Sequence, residues 1–292
     1  MNHDKLLGAI FLSLAASIWG GMFVVVKVVV AIIPPIELVL LRYLIAIVAL
    51  LLFSIITKTK WHIRKKDLGL IFLIGLIGNT ISIVFQETGT WLSSAQTGAV
   101  ITSSTPTFMV IFAWWILKEK LTKEKIISVL MATLGVIMIV GVHFEGKNML
   151  LGSVCLVIAA LTWALMSVLV KKVSDHYTSL QITIMSTFVA IICLTPFVIS
   201  NFSTIQRVNF AEPKVFLSLL YLGIISTALA FVLWNRGLAL LNAASSGLFF
   251  LFQPLVGTIL GWFFLGESIS WMFVIGSLLV VGSIWYSIRF SN

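Results

Sequence analysis

The sequence predicts an all-α membrane protein: ten transmembrane helices arranged as two five-helix repeats of opposite orientation. Three observations carry this. Residues of the apolar set make up 60% of the 292-residue chain and charged residues 10%, where a soluble domain carries about a quarter charged. Apolar runs of roughly 20 residues, each able to cross a hydrocarbon core of about 30 Å, recur along the whole chain. Finally, stretches of the first half return without gaps in the second.

Taken in order, span 1 is expected at about 6–33, ending at Pro34-Pro35, and span 2 at about 36–56. Span 3 follows the basic connector 58–67 and covers about 68–85; span 4 covers about 95–117 and span 5 about 126–142. A link with His143, Glu145 and Lys147 leads to span 6 (about 150–170), followed by span 7 (about 180–199). The longest polar link, 201–214, precedes span 8 (about 215–233), span 9 (about 243–265) and span 10 (about 271–288). Cys155 and Cys193 lie inside apolar runs without ligand partners and read as buried thiols.

The net charge of +9 would fit a nucleic-acid binder, but its placement excludes that partner. Basic residues cluster in short connectors: Lys58, Lys60, Arg64, Lys65 and Lys66, then Lys118, Lys120, Lys123 and Lys125, then Lys171 and Lys172. With both termini cytoplasmic, about fourteen of the 19 Lys and Arg fall on cytoplasmic ends, as the positive-inside rule requires. Lys147, Arg207 and Lys214 fall outside, and Lys27 and Arg42 fall within spans. A cell-membrane protein with both ends inside is the expectation, with span 1 uncleaved although Leu14-Ala15-Ala16-Ser17 would pass as a signal-peptidase sequence.

The repeat is clearest where Ala95 to Glu119 lands on Ala243 to Glu267, matching Pro106 to Pro254, Ile111 to Ile259, Trp114 to Trp262 and Leu117 to Leu265. The stretch Leu6–Val29 likewise aligns on Leu150–Val173, matching Trp19 to Trp163, Met22 to Met166 and Lys27 to Lys171. Between these blocks Gly75 meets Gly223 and Gly89 meets Gly237. Residues 1–143 and 150–292 are therefore expected to be two units. An odd number of spans per unit inverts the second, an architecture that supports alternating access.

Ser17-Ile18-Trp19-Gly20-Gly21 with Phe23 and Lys27, Pro34-Pro35 and Leu41-Arg42 resembles the start of an EamA-family protein. So do Leu117-Lys118-Glu119-Lys120-Leu121-Thr122 and Leu265-Gly266-Glu267-Ser268-Ile269-Ser270. That family belongs to the drug/metabolite transporter superfamily. The resemblance implies a central cavity between the two inverted units and export of amino acids or other small metabolites. Permeases for drugs or nucleotide sugars are the alternative within the same fold. One departure is that Trp19-Gly20-Gly21 pairs with Trp163-Ala164-Leu165, so the close approach that glycine permits in span 1 is not expected in span 6.

Ionisable groups inside spans cost at least about 2.5 kcal/mol at mid-membrane, which makes Lys27 and Arg42 candidates for function. Both fall at similar depth in the outer leaflet, where they can attract a substrate carboxylate, pair with Glu37 or Glu87, or snorkel outward as anchors. Lys171 is expected near the opposite entrance, as a gate partner of Lys27 or as a solvated helix end. Trp19 and Trp163 are symmetry-related, mid-span, and suited either to cavity walls or to helix packing. Pro106 and Pro254 each free a carbonyl one turn earlier, beside Thr102, Ser103, Ser104 and Thr105 in one copy and Gln253 in the other. Those hydroxyls either line a polar cavity wall or patch a kink, while Phe249, Phe250 and Phe252 would make an aromatic wall opposite. Asn79, Gln86 and Asn235 are further candidates, and Glu119 and Glu267 are expected to hydrogen-bond at helix ends or in gate closure.

No carboxylate is evident deep in the membrane; the nearest, Glu87, falls near the outer end of span 3. His3, His62, His143 and His176 lie at termini or connectors, so no nucleophile–base pair or metal-ligand set emerges and neither a metal nor a cofactor is called for. No phosphate-binding glycine loop points to ATP-driven pumping. A channel or a structural membrane protein remains a rival class, because helix packing alone also uses small residues such as Gly75 and Gly78.

Overall fold

In a computed structural model, residues 3–93, 95–140, 148–265 and 271–290 are described. The link carrying His143, Glu145 and Lys147 lies outside them, as does Glu267, the repeat partner of Glu119. The described residues form helices joined by short turns, with no strand among them.

Helix α1 (His3–Val29) carries Asp4 in its first turn and Lys27 in its last, each placed to complement the helix dipole. The chain then turns at Pro34, and Pro35 starts α2 (Pro35–Ile56), where proline's missing N–H is harmless. The third long helical stretch combines α3 (Leu68–Ile74), a π-helical segment Gly75–Ser82 and α4 (Ile83–Leu92). Then come α5 (Ala95–Thr102), α6 (Thr105–Leu117) and α7 (Lys123–Val140).

The second half repeats this order. Helix α8 (Met149–Val173) precedes α9 (Ser179–Ser200), which opens with a capping box between Thr178 and Gln181. After the short α10 (Phe202–Gln206), α11 (Pro213–Leu220), a π-helical segment Tyr221–Leu229 and α12 (Ala230–Leu240) form one continuous rod. Next are α13 (Ala243–Gly247), a 3-10 turn Leu248–Leu251, α14 (Phe252–Leu265) and α15 (Trp271–Phe290).

Among the described residues, six helical stretches are long and apolar enough to cross a membrane: His3–Val29, Pro35–Ile56, Lys65–Leu92, Leu150–Val173, Ser179–Ser200 and Pro213–Leu240. Span 4 of the sequence reading is broken rather than merely bent, whereas span 9 stays helical through a 3-10 turn between α13 and α14. Thr102 ends α5 and Thr105 begins α6, so Pro106 sits in the first turn of a new helix, where it removes no helical hydrogen bond. Pro254 stands in the first turn of α14, directly after the 3-10 turn Leu248–Leu251, so it falls within a continuous helical run.

Each half supplies neighbours to the other. Helix α1 packs along α12 and α14, and α8 packs correspondingly along α4 and α6. Helix α2 meets α9 and the π segment 221–229, while α9 meets the π segment 75–82, and α7 packs on α15. The correspondence reaches single atoms. A Cβ on Gly75 would lie 2.6 Å from Val189 Cβ and 2.8 Å from the Ser186 carbonyl. One on Gly223 would lie 2.7 Å from Ile45 Cβ and 3.0 Å from the Arg42 carbonyl. Ile45 and Arg42 stand 144 positions before Val189 and Ser186, the spacing that separates Trp19 from Trp163. Both π segments begin at or near these glycines, where the neighbouring helix backbone comes too close for a side chain.

Candidate functional site

A cavity lies where the two halves meet, lined by Trp19, Met22, Arg42, Ile83, Gln86, Trp163, Phe231, Phe250 and Gln253. The enclosed part has room for about one water molecule; the unfilled space of about 240 Å³ counts the open mouth. Five of the sequence candidates converge here from distant points in the chain: Trp19 from α1, Arg42 from α2, Gln86 from α4, Trp163 from α8 and Gln253 from α14.

The aromatic wall is a packed cluster. The Trp19 and Trp163 ring centroids are 5.2 Å apart at an interplanar angle of 84°, an edge-to-face arrangement that the ring quadrupoles favour. Phe231 meets Trp163 at 5.2 Å, and Phe250 stacks on Trp19 at 5.7 Å and 21°. Trp234 closes the back of the cluster, 5.3 Å from Trp19 and 4.5 Å from Phe250. Packing and cavity lining thus coincide in the two tryptophans. Gly20 lets α14 close on this wall, because a Cβ there would lie 2.7 Å from the Gln253 carbonyl. Its counterpart Ala164 is wholly buried with its methyl group in place, consistent with the departure between the repeats.

The indole N–H groups differ. Trp19 Nε1 donates to the Ser226 carbonyl at 2.9 Å, within the second π segment. Trp163 Nε1 is buried and has no partner. An unpaired buried donor costs about 1–3 kcal/mol.

The polar wall centres on Arg42, which is fully buried and ion-paired through Nη1 with Glu87 Oε1. Its Nε donates to Thr227 Oγ1 at 2.8 Å, and Nη2 donates to Ser226 Oγ at 3.2 Å and to Met22 Sδ at 3.5 Å. Thr227 in turn donates to the Leu222 carbonyl at 2.7 Å, bracing the π segment. Of the fates open to Arg42, burial with Glu87 is therefore the one adopted. Glu87 does fall near the end of its helix, yet it is wholly buried, and its second oxygen, Oε2, has no partner. Glu87 thus enters a buried ion pair with Arg42, which lines the cavity. The counterparts of this pair in the second half are neutral: Ser186 stands for Arg42, and Asn235, bonded to Thr183 at 2.9 Å, stands for Glu87.

The other candidates lie elsewhere. Lys27 Nζ donates to the carbonyls of Thr90, Trp91 and Ser93 at 3.1, 3.2 and 2.7 Å, closing the C-terminal end of α4. Lys171 Nζ donates to the Ala239 carbonyl at 2.9 Å, and Ala239 is the repeat partner of Trp91. Glu119 accepts from the N–H groups of Ala243 at 2.9 Å and Ala244 at 3.4 Å, capping α13, with Lys125 at 3.4 Å from its other side. Ser103 and Ser104 bond back to the carbonyls of Ala99 and Ile101, both at 2.6 Å. Thr102 and Thr105 do the same, and Pro106 and Pro254 are buried helix starts outside the cavity lining. The Ser103, Ser104 and Thr105 hydroxyls are thus spent on local backbone carbonyls, while Thr102 Oγ1 also donates to Gln253 Oε1 in the cavity wall at 3.3 Å. Asn79 bonds Thr187 at 3.4 Å, and its carbonyl accepts from Tyr43 Oη at 2.6 Å.

Sequence reasoning missed Met22, Ile83 and Phe231 as lining and Ser226 and Thr227 as supports of Arg42. The repeat carried a usable signal for two of them: Thr227 falls on Asn79 and Phe231 on Ile83.

The EamA-like transporter family matches this chain twice, over residues 6–141 and 150–289. The protein is an EamA-family transporter. An uncharacterized transporter of Bacillus subtilis, YetK, is 29% identical over 97% of this chain and 88% of its own. A probable amino-acid metabolite efflux pump of Salmonella typhimurium is 23% identical over 94% of this chain and 92% of its own. A putative permease-like protein of B. subtilis, YdzE, is 65% identical over 22% of this chain and 83% of its own. A solved structure superposes with a TM-score of 0.74 at 16% identity, covering 96% of each chain, and shares the fold seen here.

Proposed function

We propose that this EamA transporter exports amino acids or related small metabolites across the cell membrane by alternating access. In this reading ten spans form two inverted units, residues 1–143 and 150–292, with both termini cytoplasmic. The observation that carries it is the cavity where the halves meet, walled by the repeat-related Trp19 and Trp163. The exchanged packing of α1 on α12 and α8 on α4 supports the inverted pairing. Lys27 and Lys171 act as clamps at opposite entrances, a reading supported by their bonds to the equivalent carbonyls of Trp91 and Ala239. A substrate works between the clamps, meeting Trp19, Trp163, Arg42, Gln86 and Gln253, and needs no cofactor or metal. The name of the Salmonella relative, an amino-acid metabolite efflux pump, supports the substrate class.

Counterflow of labelled amino acids into proteoliposomes tests this. Saturable uptake stimulated by the same solute on the far side is expected. Failure across the amino-acid panel, with clear counterflow of a cationic drug or a nucleotide sugar, overturns the substrate. Solute passage without saturation or trans-stimulation makes the protein a channel instead.

A further inference from the structure

The connector between the membrane-length stretches Pro35–Ile56 and Lys65–Leu92 is short, cationic and fastened down. Residues 58–67 carry Lys58, Lys60, Arg64, Lys65 and Lys66 against a single carboxylate, Asp67, which Arg64 Nε meets at 3.5 Å. Lys58, Lys60, Lys65 and Lys66 are exposed, and among the described residues no ion pair engages them. Trp61 and Ile63 stand between them, 44% and 51% exposed. The backbone beneath is tied to the second half. Gln181 Nε2 donates to the Lys60 carbonyl at 3.0 Å, and the Arg64 N–H donates to Tyr177 Oη at 3.1 Å. Tyr177 in turn donates to Asp67 Oδ2 at 3.1 Å, and both Tyr177 and Gln181 are buried, so the strap is a fixed surface. Exposed Ile55, Ile56 and Leu68 at its two ends set it against the edge of the hydrocarbon. The fold does not demand the charge. The equivalent connector of the second half, 201–212, exposes Phe202 and Phe210 but carries only Arg207 and Glu212.

We infer that this strap binds the phosphate headgroups of anionic phospholipids, with Lys58, Lys60, Lys65 and Lys66 as the cations and Trp61 and Ile63 at the acyl boundary. A basic segment beside a membrane span attracts anionic lipid by about fivefold for each cation. Tryptophan favours the headgroup level because its ring is apolar and its N–H polar. The backbone bonds to Tyr177 and Gln181 hold the strap in place beforehand, so less freedom is lost when a headgroup docks. The basic connector 118–125 lacks this combination. Its lysines share the segment with Glu119 and Glu124, and Lys125 is held by Glu119 at 3.4 Å.

Native mass spectrometry tests this on the purified full-length protein in neutral detergent. Titration with phosphatidylglycerol or with phosphatidylcholine of the same acyl chains gives the affinity of the first lipid bound. Phosphatidylglycerol is expected to bind about tenfold or more tighter. The triple variant Lys60→Gln/Lys65→Gln/Lys66→Gln should abolish that preference. Lys118→Gln/Lys120→Gln/Lys123→Gln removes the same charge and should keep the preference to within about twofold. Tyr177→Phe keeps every cation but loosens the strap, and should weaken phosphatidylglycerol about fivefold, the scale of one hydrogen bond. Cooperative thermal unfolding of each variant establishes that it is folded. Equal affinity for the two lipids, equal losses in the two triple variants, or an unchanged affinity in the folded strap variant or in Tyr177→Phe overturns the inference. Displacement of phosphatidylglycerol by an equal concentration of soluble glycerol phosphate also overturns it, because the strap would then be a site for free phosphate. None of these measurements uses transport, so their outcome stands apart from that of the exporter reading.

Discussion

Trp19 and Trp163 occupy equivalent places in the two halves and touch edge to face at 5.2 Å, yet only Trp19 has a hydrogen-bond partner, the Ser226 carbonyl. Equivalent sequence positions have thus taken different chemical roles. Trp19 fastens α1 to the second π segment, and Trp163 lines the cavity with its Nε1–H buried and unpartnered.

That difference predicts unequal stability losses. Trp19→Phe removes a buried hydrogen bond to the Ser226 carbonyl, which should cost about 1–2 kcal/mol beyond the lost ring area. Trp163→Phe removes a donor that has no bond, so its loss should be smaller by about that amount. Chemical denaturation in detergent measures both, and equal losses would contradict the asymmetry.

The Arg42–Glu87 pair predicts strong coupling. Arg42→Gln alone leaves Glu87 buried and uncompensated, at a cost of about 3–5 kcal/mol. The double variant Arg42→Gln/Glu87→Gln should recover most of that, since no net charge remains buried. A double-mutant cycle on thermal unfolding reads the coupling, and additive losses would mean that the two charges are separately solvated.

The matched glycines predict matched penalties. Gly75→Ala and Gly223→Ala each push a Cβ to within 2.8 Å of Val189 or Ile45 side-chain atoms, and each should destabilise by about 1–3 kcal/mol. Gly69→Ala, with nothing within 4 Å, serves as the neutral control. Unfolding midpoints compare the three, and a harmless Gly223→Ala would show that the second crossing can relax.

Glu119 predicts a local effect. Glu119→Ala removes the acceptor for the Ala243 and Ala244 N–H groups and should cost about 1–2 kcal/mol at the start of α13. Hydrogen exchange should rise across Ala243–Gly247 and stay unchanged in α9, whose cap is supplied by Thr178. Glu119→Gln, which keeps one acceptor oxygen, should fall between.

The aromatic and cationic members of the cavity were legible in the sequence for physical reasons. Trp19 and Trp163 surfaced because a gapless repeat made them equivalent, and Arg42 because a cation inside an apolar run demands an explanation. Ser103 and Ser104 misdirected the reading, since a hydroxyl beside a proline looks the same whether it faces a cavity or bonds one turn back. Lys27 illustrates the same ambiguity: its depth was readable, but three carbonyls at the end of α4 are the contacts it makes.

By itself the sequence determined the helical class, the membrane setting and the equivalence of the two halves. Those properties follow from hydrophobic run length, charge placement and local identity, all of which are written along the chain. Only the tertiary structure decided that Arg42 meets Glu87 and Ser226, that α1 packs on α12 of the other half, and that one indole N–H is left free. Such facts depend on which helices cross at which glycine and on how far a π segment turns a carbonyl toward its neighbour. No pattern of residues along a single helix encodes them.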